Sequence, residues 1–109
     1  MAAWAMFFGD LDVLLCPVAS TTAFPLMRGV PKHARTVQVR GRPLPSANDY
    51  FWLGLASGAG LPATTVPLAI AEGLPVGGQM IGPYGHDDRC ITVAGLLEQL
   101  HHRFLPPPL

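Results

Sequence analysis

The chain has 109 residues, of which half are hydrophobic and 13% are charged, and its seven basic and seven acidic residues balance to a formal net charge of zero. This apolar composition excludes an intrinsically disordered chain, and the balanced charge predicts neither nucleic acid nor an anionic membrane as a partner. The length allows one domain at most. Twelve glycines and twelve prolines interrupt regular elements and limit the core that the chain can form. The chain is also too apolar for its own surface, so we expect other protein to cover part of it.

The N-terminal sequence predicts a helix followed by a buried strand. Residues 2–8 favour a helix that ends at Gly9, but no capping residue precedes it, so we expect the chain to begin inside a longer protein. The continuous apolar run from Asp12 to Val18 is typical of a strand buried on both faces, with a neighbour on each side. Neither segment has the basic region of a signal peptide or the roughly 20 apolar residues of a membrane span.

The middle of the chain predicts a long Pro/Gly-rich loop over residues 19–46, in which Val37 and Val39 alternate with polar residues and suggest a brief edge strand. A helix is expected over Tyr50–Ala59, capped by Ser46 or Asn48.

The C-terminal half predicts a hairpin and an amphipathic helix. Strands are expected over Leu61–Ile70 and Pro75–Ile81, with Gly77 and Gly78 marking a bulge or a close backbone approach. Helical spacing of apolar residues predicts a helix over Arg89–His102, before a proline tail at 106–109. This order predicts the α/β class, with a partial mixed β-sheet flanked by helices.

No complete active site is visible in the residue pattern. Ser57 does not lie in a G-x-S-x-G turn, and Lys32 lies in a Pro-rich loop where a solvated side chain is expected. The groups around His86 and His101 stand at opposite ends of one helix, roughly 20 Å apart, so they predict no shared metal site. Cys16 and Cys90 are expected to be free thiols, which indicates a reducing, cytoplasmic location. We expect no cofactor and no bound metal.

Several segments in the same order nevertheless resemble the C-terminal part of the amidase signature family, over about Trp4 to Leu105. A strand ending in proline, preceded by the tail of a helix, is followed by a Gly-Leu-Pro segment, a Gly-Leu-Pro-Val-Gly-Gly-Gln segment and an Asp-Asp-Arg helix start. These segments are Trp4–Phe8, Asp12–Pro17, Gly60–Leu68, Glu72–Gly82 and Asp87–Arg89.

This resemblance implies an α/β/α fold several times longer than this chain, and an enzyme that hydrolyses or transfers an amide carbon–nitrogen bond. In such enzymes a serine attacks the carbonyl, a second serine relays the proton and a lysine is the base. The Gly/Ser-rich signature and upstream lysine that supply these groups are absent here, so the chain is expected to hold no catalytic residue and to be inactive alone.

The segment before the Gly-Leu-Pro motif lies near the acyl pocket in similar enzymes, which implies a pocket wall here, although core packing is the default expectation for its aromatic residues. The wall residues are Asn48, Asp49, Tyr50, Phe51 and Trp52. Six further residues are expected to shape the scaffold: Gly60, Pro62, Pro67, Gly77, Gly78 and Gln79. If the Gln79 amide is buried, it must be hydrogen-bonded.

The expected partners are the missing N-terminal amidase region, or another chain that covers the exposed sheet, and a small-molecule amide for the parent enzyme. The alternative function is a catalytically dead remnant that acts as a protein-interaction module.

Overall fold

A computed structural model describes residues 2–101 and 103–107. The helices are α1 (Ala2–Phe7), α2 (Tyr50–Ser57) and α3 (Asp87–Leu100). The strands are β1 (Leu14–Pro17), β2 (Thr36–Val39), β3 (Arg42–Pro45), β4 (Ala63–Ala71) and β5 (Leu74–Ile81). In this part of the chain, no helix is long and apolar enough to cross a bilayer.

The main sheet has three strands in the order β1-β5-β4, and both pairs are antiparallel. The expected hairpin is present, because β4 and β5 are joined by a two-residue turn in which Glu72 and Gly73 have φ of 53° and 76°. Such a turn matches the twist of the two strands. The C-terminal end of β5 lies between both neighbours, with Ile81 opposite Leu14 on one side and Ala63 on the other.

The two faces of the sheet are covered by different helices. Successive residues of a strand point to opposite faces, and Met80 and Ile81 accordingly belong to separate cores. Met80 packs with Val66 and with Ala94 of α3. Ile81 packs with Phe8, Ala56 and Leu61, against which Trp4 of α1 is also packed. The chain therefore forms an α/β/α layer, as predicted, with α3 on one face and α1 and α2 on the other. The three described strands of this sheet are all antiparallel, whereas a partial mixed sheet was expected.

Two local expectations were wrong. Strand β1 is not buried on both faces, because Leu15 is 50% exposed while its neighbours Leu14 and Cys16 are half-buried; α3 lies over β4 and β5 rather than over β1. The predicted caps of α2 are not its caps either. Ser46 and Asn48 lie in a 3₁₀ turn, and Asp49 begins the helix without a side-chain capping bond.

The 19–46 segment contains a hairpin of its own. Strands β2 and β3 form a separate two-stranded sheet, which confirms the strand suggested by Val37 and Val39. Val37 of β2 is buried. The two turn residues of this hairpin, Arg40 and Gly41, have φ of 51° and 74°. The remainder, from residue 19 to 31, is irregular.

Close backbone approach occurs at two buried glycines. A Cβ at Gly78 would lie 2.6 Å from Leu68 Cδ1 and 3.3 Å from Leu15 Cδ1. The expected irregularity lies on the partner strand instead, where the register shifts between Pro67 and Ala69 of β4. A Cβ at Gly82 would lie 2.6 Å from the Sγ of Cys90, a short side chain that is fully buried.

We predict that Gly82→Ala lowers the free energy of unfolding by about 1–3 kcal/mol, because the added methyl group overpacks the Cys90 contact. Urea unfolding followed by circular dichroism measures the change. Gly95→Ala is the matched control: Gly95 lies within α3 with nothing within 4 Å of its Cβ position, so alanine there should raise stability by about 0.5–1 kcal/mol. Equal effects of the two substitutions would contradict the packing at Gly82.

Candidate functional site

The side-chain amide of Gln79 connects three elements at the end of the sheet. Its Nε2 donates to the carbonyl of Pro17 at 3.2 Å and to the carbonyl of Trp52 at 2.7 Å. Gln79 lies on β5, Pro17 ends β1 and Trp52 lies in the first turn of α2. Because Gln79 is only 3% exposed, its buried amide needs protein acceptors, and these two backbone carbonyls satisfy it. The expectation that a buried Gln79 must be hydrogen-bonded is thus met.

A second hydrogen bond fixes the same region. The backbone N–H of Ser20 donates to Oδ1 of Asp49 at 3.1 Å, across 29 residues of sequence. Hydrogen bonds to an ionised acceptor are stronger than neutral ones. Asp49 thereby holds the chain that follows β1 against the start of α2, next to the Gln79 contacts.

The aromatic residues of the 48–52 segment differ in burial. Tyr50 and Phe51 are 69% and 63% exposed, whereas Trp52 is half-buried. The rings of Phe51 and Trp52 meet edge to face, with centroids 5.3 Å apart. Neither the expected core packing nor a closed pocket describes Tyr50 and Phe51, so the pocket wall remains a prediction for this segment.

A cleft of about 530 Å³ lies beside this region, between the chain that follows β1 and the β4–β5 hairpin. Its hydroxyl groups belong to Ser20, Thr21, Thr22 and Thr65, and the rest of its lining is Val18, Ala19, Ala23 and Pro75–Gly77. Among the described residues, no charged side chain lines it. Hydroxyls donate and accept hydrogen bonds, so the cleft suits a neutral polar group. The Asn48–Trp52 segment does not line the cleft, but Asp49 positions its Ser20.

The remaining scaffold residues surround these contacts. Gly60 has φ of 64°, a left-handed conformation that glycine adopts readily. This conformation lets the chain turn from the end of α2 into β4. The carbonyl of Pro62 accepts from the N–H of Gly82 at 3.0 Å and from the thiol of Cys90 at 3.8 Å. Pro67 pairs with Gly77 where the register of β4 becomes irregular.

Both cysteines are free thiols in the structure. Burial raises the pKa of Cys16, and a hydrogen bond with Gln79 partly offsets this effect. Burial also raises the pKa of Cys90, and the nearby carboxylates of Asp87 and Asp88 raise it further. A raised pKa keeps each thiol protonated near neutral pH, and the thiolate is the nucleophilic form. Neither cysteine is therefore an activated nucleophile here.

The serine and lysine side chains form no nucleophile–base pair in the described part of the chain. The Oγ of Ser57 donates to the carbonyl of Leu53 at 2.9 Å within α2, and Lys32 is exposed in a 3₁₀ turn. His86 and His101 flank opposite ends of α3, while His102 lies outside the described residues. Among residues 2–101 and 103–107, no group of three His, Cys, Asp or Glu side chains can hold a metal ion.

Sequence reasoning missed the cleft and the Asp49–Ser20 contact. The run Ser20-Thr21-Thr22 is the signal that was present, because three consecutive hydroxyl residues follow strand β1. Its meaning depends on the pairing of β1 with β5, which has no local signature and which brings the run to the cleft that Gly77 also lines.

We predict that Gln79→Leu lowers the free energy of unfolding by about 1–3 kcal/mol, because it removes the buried amide that donates to both the Pro17 and the Trp52 carbonyls. Urea unfolding again measures the change. Gln38→Leu serves as the control, since Gln38 is exposed on β2 and should change stability by less than about 0.5 kcal/mol. If Gln79→Leu left the free energy of unfolding unchanged, the amide would not be holding α2 to the sheet.

Comparison with known proteins agrees with this architecture. The family model named Amidase matches residues 1–91. The chain is 35% identical over 97 residues to a glutamyl-tRNA(Gln) amidotransferase subunit from Tropheryma whipplei (strain Twist), covering 89% of this chain and 17% of that protein. It is 36% identical over 95 residues to the corresponding mitochondrial glutamyl-tRNA(Gln) amidotransferase subunit from Mus musculus, covering 86% and 17%.

A solved structure described as "Crystal structure of amidase" is also similar. It superimposes with a TM-score of 0.72 at 30% sequence identity, over 86% of this chain and 20% of that chain. The chain thus spans about a fifth of the proteins that it matches. The match over most of its length, together with the shared layer of sheet and helices, shows that the chain belongs to the amidase family.

Proposed function

We propose that the chain serves as the C-terminal part of an amidase-type enzyme that cleaves an amide carbon–nitrogen bond through an acyl-enzyme. A serine nucleophile, a second serine and a lysine base would come from a region outside these 109 residues. The observation that carries this proposal is the family match over residues 1–91 in a chain that holds no nucleophile–base pair in its described part. This part would then supply scaffold and substrate contacts, and no catalytic residue.

The substrate contacts would come from the two surfaces held by Gln79 and Asp49. The Asn48–Trp52 segment presents the exposed rings of Tyr50 and Phe51, and aromatic rings favour apolar or aromatic groups. The cleft beside Ser20 offers uncharged hydroxyls, which suit a carboxamide. We therefore propose a small amide as substrate, with an apolar or aromatic part against the Asn48–Trp52 wall.

The type of amide chemistry follows from the relatives. Two of them are described as subunits of a glutamyl-tRNA(Gln) amidotransferase, and their similarity supports transfer of the amide nitrogen to an acceptor as well as hydrolysis. We propose a cytoplasmic location, because the two free cysteines form no disulfide.

The missing partner is proposed to be the N-terminal region of an amidase. Large apolar side chains remain exposed on all three helices, among them Met6, Phe51 and Leu96. Exposed apolar surface of this extent marks an interaction surface. In the described sheet β1 and β4 are the outer strands, and an unpaired strand edge can also take another chain. That edge supports the second candidate, a catalytically dead remnant that acts as an interaction module.

We predict that the purified chain releases no ammonia or amine from a panel of aliphatic and aromatic amides, and that it binds a hydrophobic dye. Turnover by a compact monomer that binds no dye would contradict the proposal.

A chimera separates the two candidates. The chain replaces the matched residues of the Tropheryma whipplei relative, and the amidotransferase activity of the chimera is compared with that of the intact relative. Activity within about tenfold of the relative supports the enzyme proposal. A folded chimera without activity supports the remnant. The same chimera carrying Gln79→Leu, which is predicted to be less stable, shows how far a folding defect alone lowers the activity.

A further inference from the structure

The formal net charge of zero, from which no nucleic-acid partner was expected, conceals a strong separation of charge along the chain, which argues against that expectation. Five of the seven basic residues lie within residues 28–42, and no acidic residue occurs between Asp12 and Asp49. This basic segment, residues 28–45, therefore carries a formal charge of +5, while the rest of the chain carries −5. Its basic residues are Arg28, Lys32, Arg35, Arg40 and Arg42.

The structure leaves these charges available at the surface. Arg28, Lys32, Arg40 and Arg42 are exposed, and only Arg35 is half-buried, with its Nε donating to the carbonyl of Val30 at 2.9 Å. The ion pairs among the described residues join Arg89 to Asp12 and His86 to Asp88. Throughout residues 2–101 and 103–107, none of the five cations is paired with a carboxylate.

Most of the segment is held together by the backbone hydrogen bonds of a hairpin. The β2–β3 hairpin closes with a two-residue turn at Arg40 and Gly41, both in the left-handed region. The N–H of Ser46 donates to the carbonyl of Arg35 at 2.9 Å, which closes its base. A four-residue strand spans roughly 13 Å, so Lys32 and Arg35 at the base are separated from Arg40 and Arg42 at the tip.

We propose that this basic segment docks on the phosphate backbone of a structured RNA. Unpaired Arg and Lys side chains on a rigid element bind a polyanion by releasing its counterions. The segment contains no Phe, Tyr or Trp, so of the aromatic side chains on which bases stack it offers only His33. The contacts would thus position an RNA without reading its sequence.

An acidic protein surface is the other class of partner, and the composition disfavours it. Protein interfaces place their Arg residues among aromatic and apolar anchors, and the exposed positions of this hairpin hold no aromatic residue. The choice of RNA over DNA rests on the proposed function, because the relatives are named for a tRNA, glutamyl-tRNA(Gln).

The test measures RNA binding by the 109-residue chain fused to a soluble carrier, using fluorescence anisotropy with a labelled tRNA transcript. We expect a Kd of about 1–100 µM at physiological salt, typical of backbone contacts. Arg40→Gln with Arg42→Gln should weaken binding at least about fivefold and make the log–log salt slope shallower by about two. Arg40→Lys with Arg42→Lys should retain binding, because it keeps both charges.

Arg103→Gln is the matched control, since it removes an exposed cation outside the segment and should change affinity less than about twofold. Equal loss in the control, or no loss in the double glutamine variant, overturns the proposal. Tighter binding to a DNA duplex, or binding to polyglutamate in place of RNA, assigns the segment to another partner and also overturns it. Because the assay involves no amide chemistry, failure of the proposed enzymatic function would leave its outcome unaffected.

Discussion

Two hydrogen bonds from one buried amide hold the parts of this structure together. Gln79 donates to the Pro17 and Trp52 carbonyls, and through them the end of β1 and the first turn of α2 are fixed to the central strand. Apolar packing alone does not fix the orientation of α2, since its free energy is non-directional and roughly proportional to the apolar area buried. The cost of leaving the buried Gln79 amide without acceptors adds a directional constraint, so this side chain helps to position the Asn48–Trp52 segment.

The arrangement of β5 makes this possible. Residues 78–82 are all buried, and along them the side chains alternate between the two faces of the sheet. Met80 faces α3, while Gln79 and Ile81 face α1 and α2. Glycines at 78 and 82 leave room for Leu68 and Cys90. The same short stretch therefore joins both cores and carries the polar contact from which the proposed substrate surface is built.

The described residues provide sheet, helices and the contacts around Gln79. Both thiols have a raised pKa, and no nucleophile–base pair lies in the described part of the chain. Scaffold and substrate contact are therefore the roles that we propose for this part of an amidase-family protein. The basic segment is a different feature, because none of its residues belongs to either core cluster.

Most of the regular elements could be predicted from sequence. Periodicity and turn residues located the β4–β5 hairpin and α3, and alternation at Val37 and Val39 located β2. The cap of α2 could not be predicted, since Asp49 bonds to the distant Ser20 and not to its own helix. The burial of β1 depends on which helix covers it, which no local pattern records. The Gln79 contacts likewise join residues that are 62 and 27 positions apart.

The most direct measurement is the NMR spectrum of the side-chain amides in a chain labelled with ¹⁵N-glutamine. The three glutamines, Gln38, Gln79 and Gln99, give three pairs of resonances, and Gln79→Leu assigns one of them. If Gln79 holds α2 to the sheet, its pair is shifted from the free-amide position and exchanges slowly with solvent, while the other two pairs exchange rapidly. Three pairs at free-amide positions with equal, rapid exchange would contradict the central role of this residue.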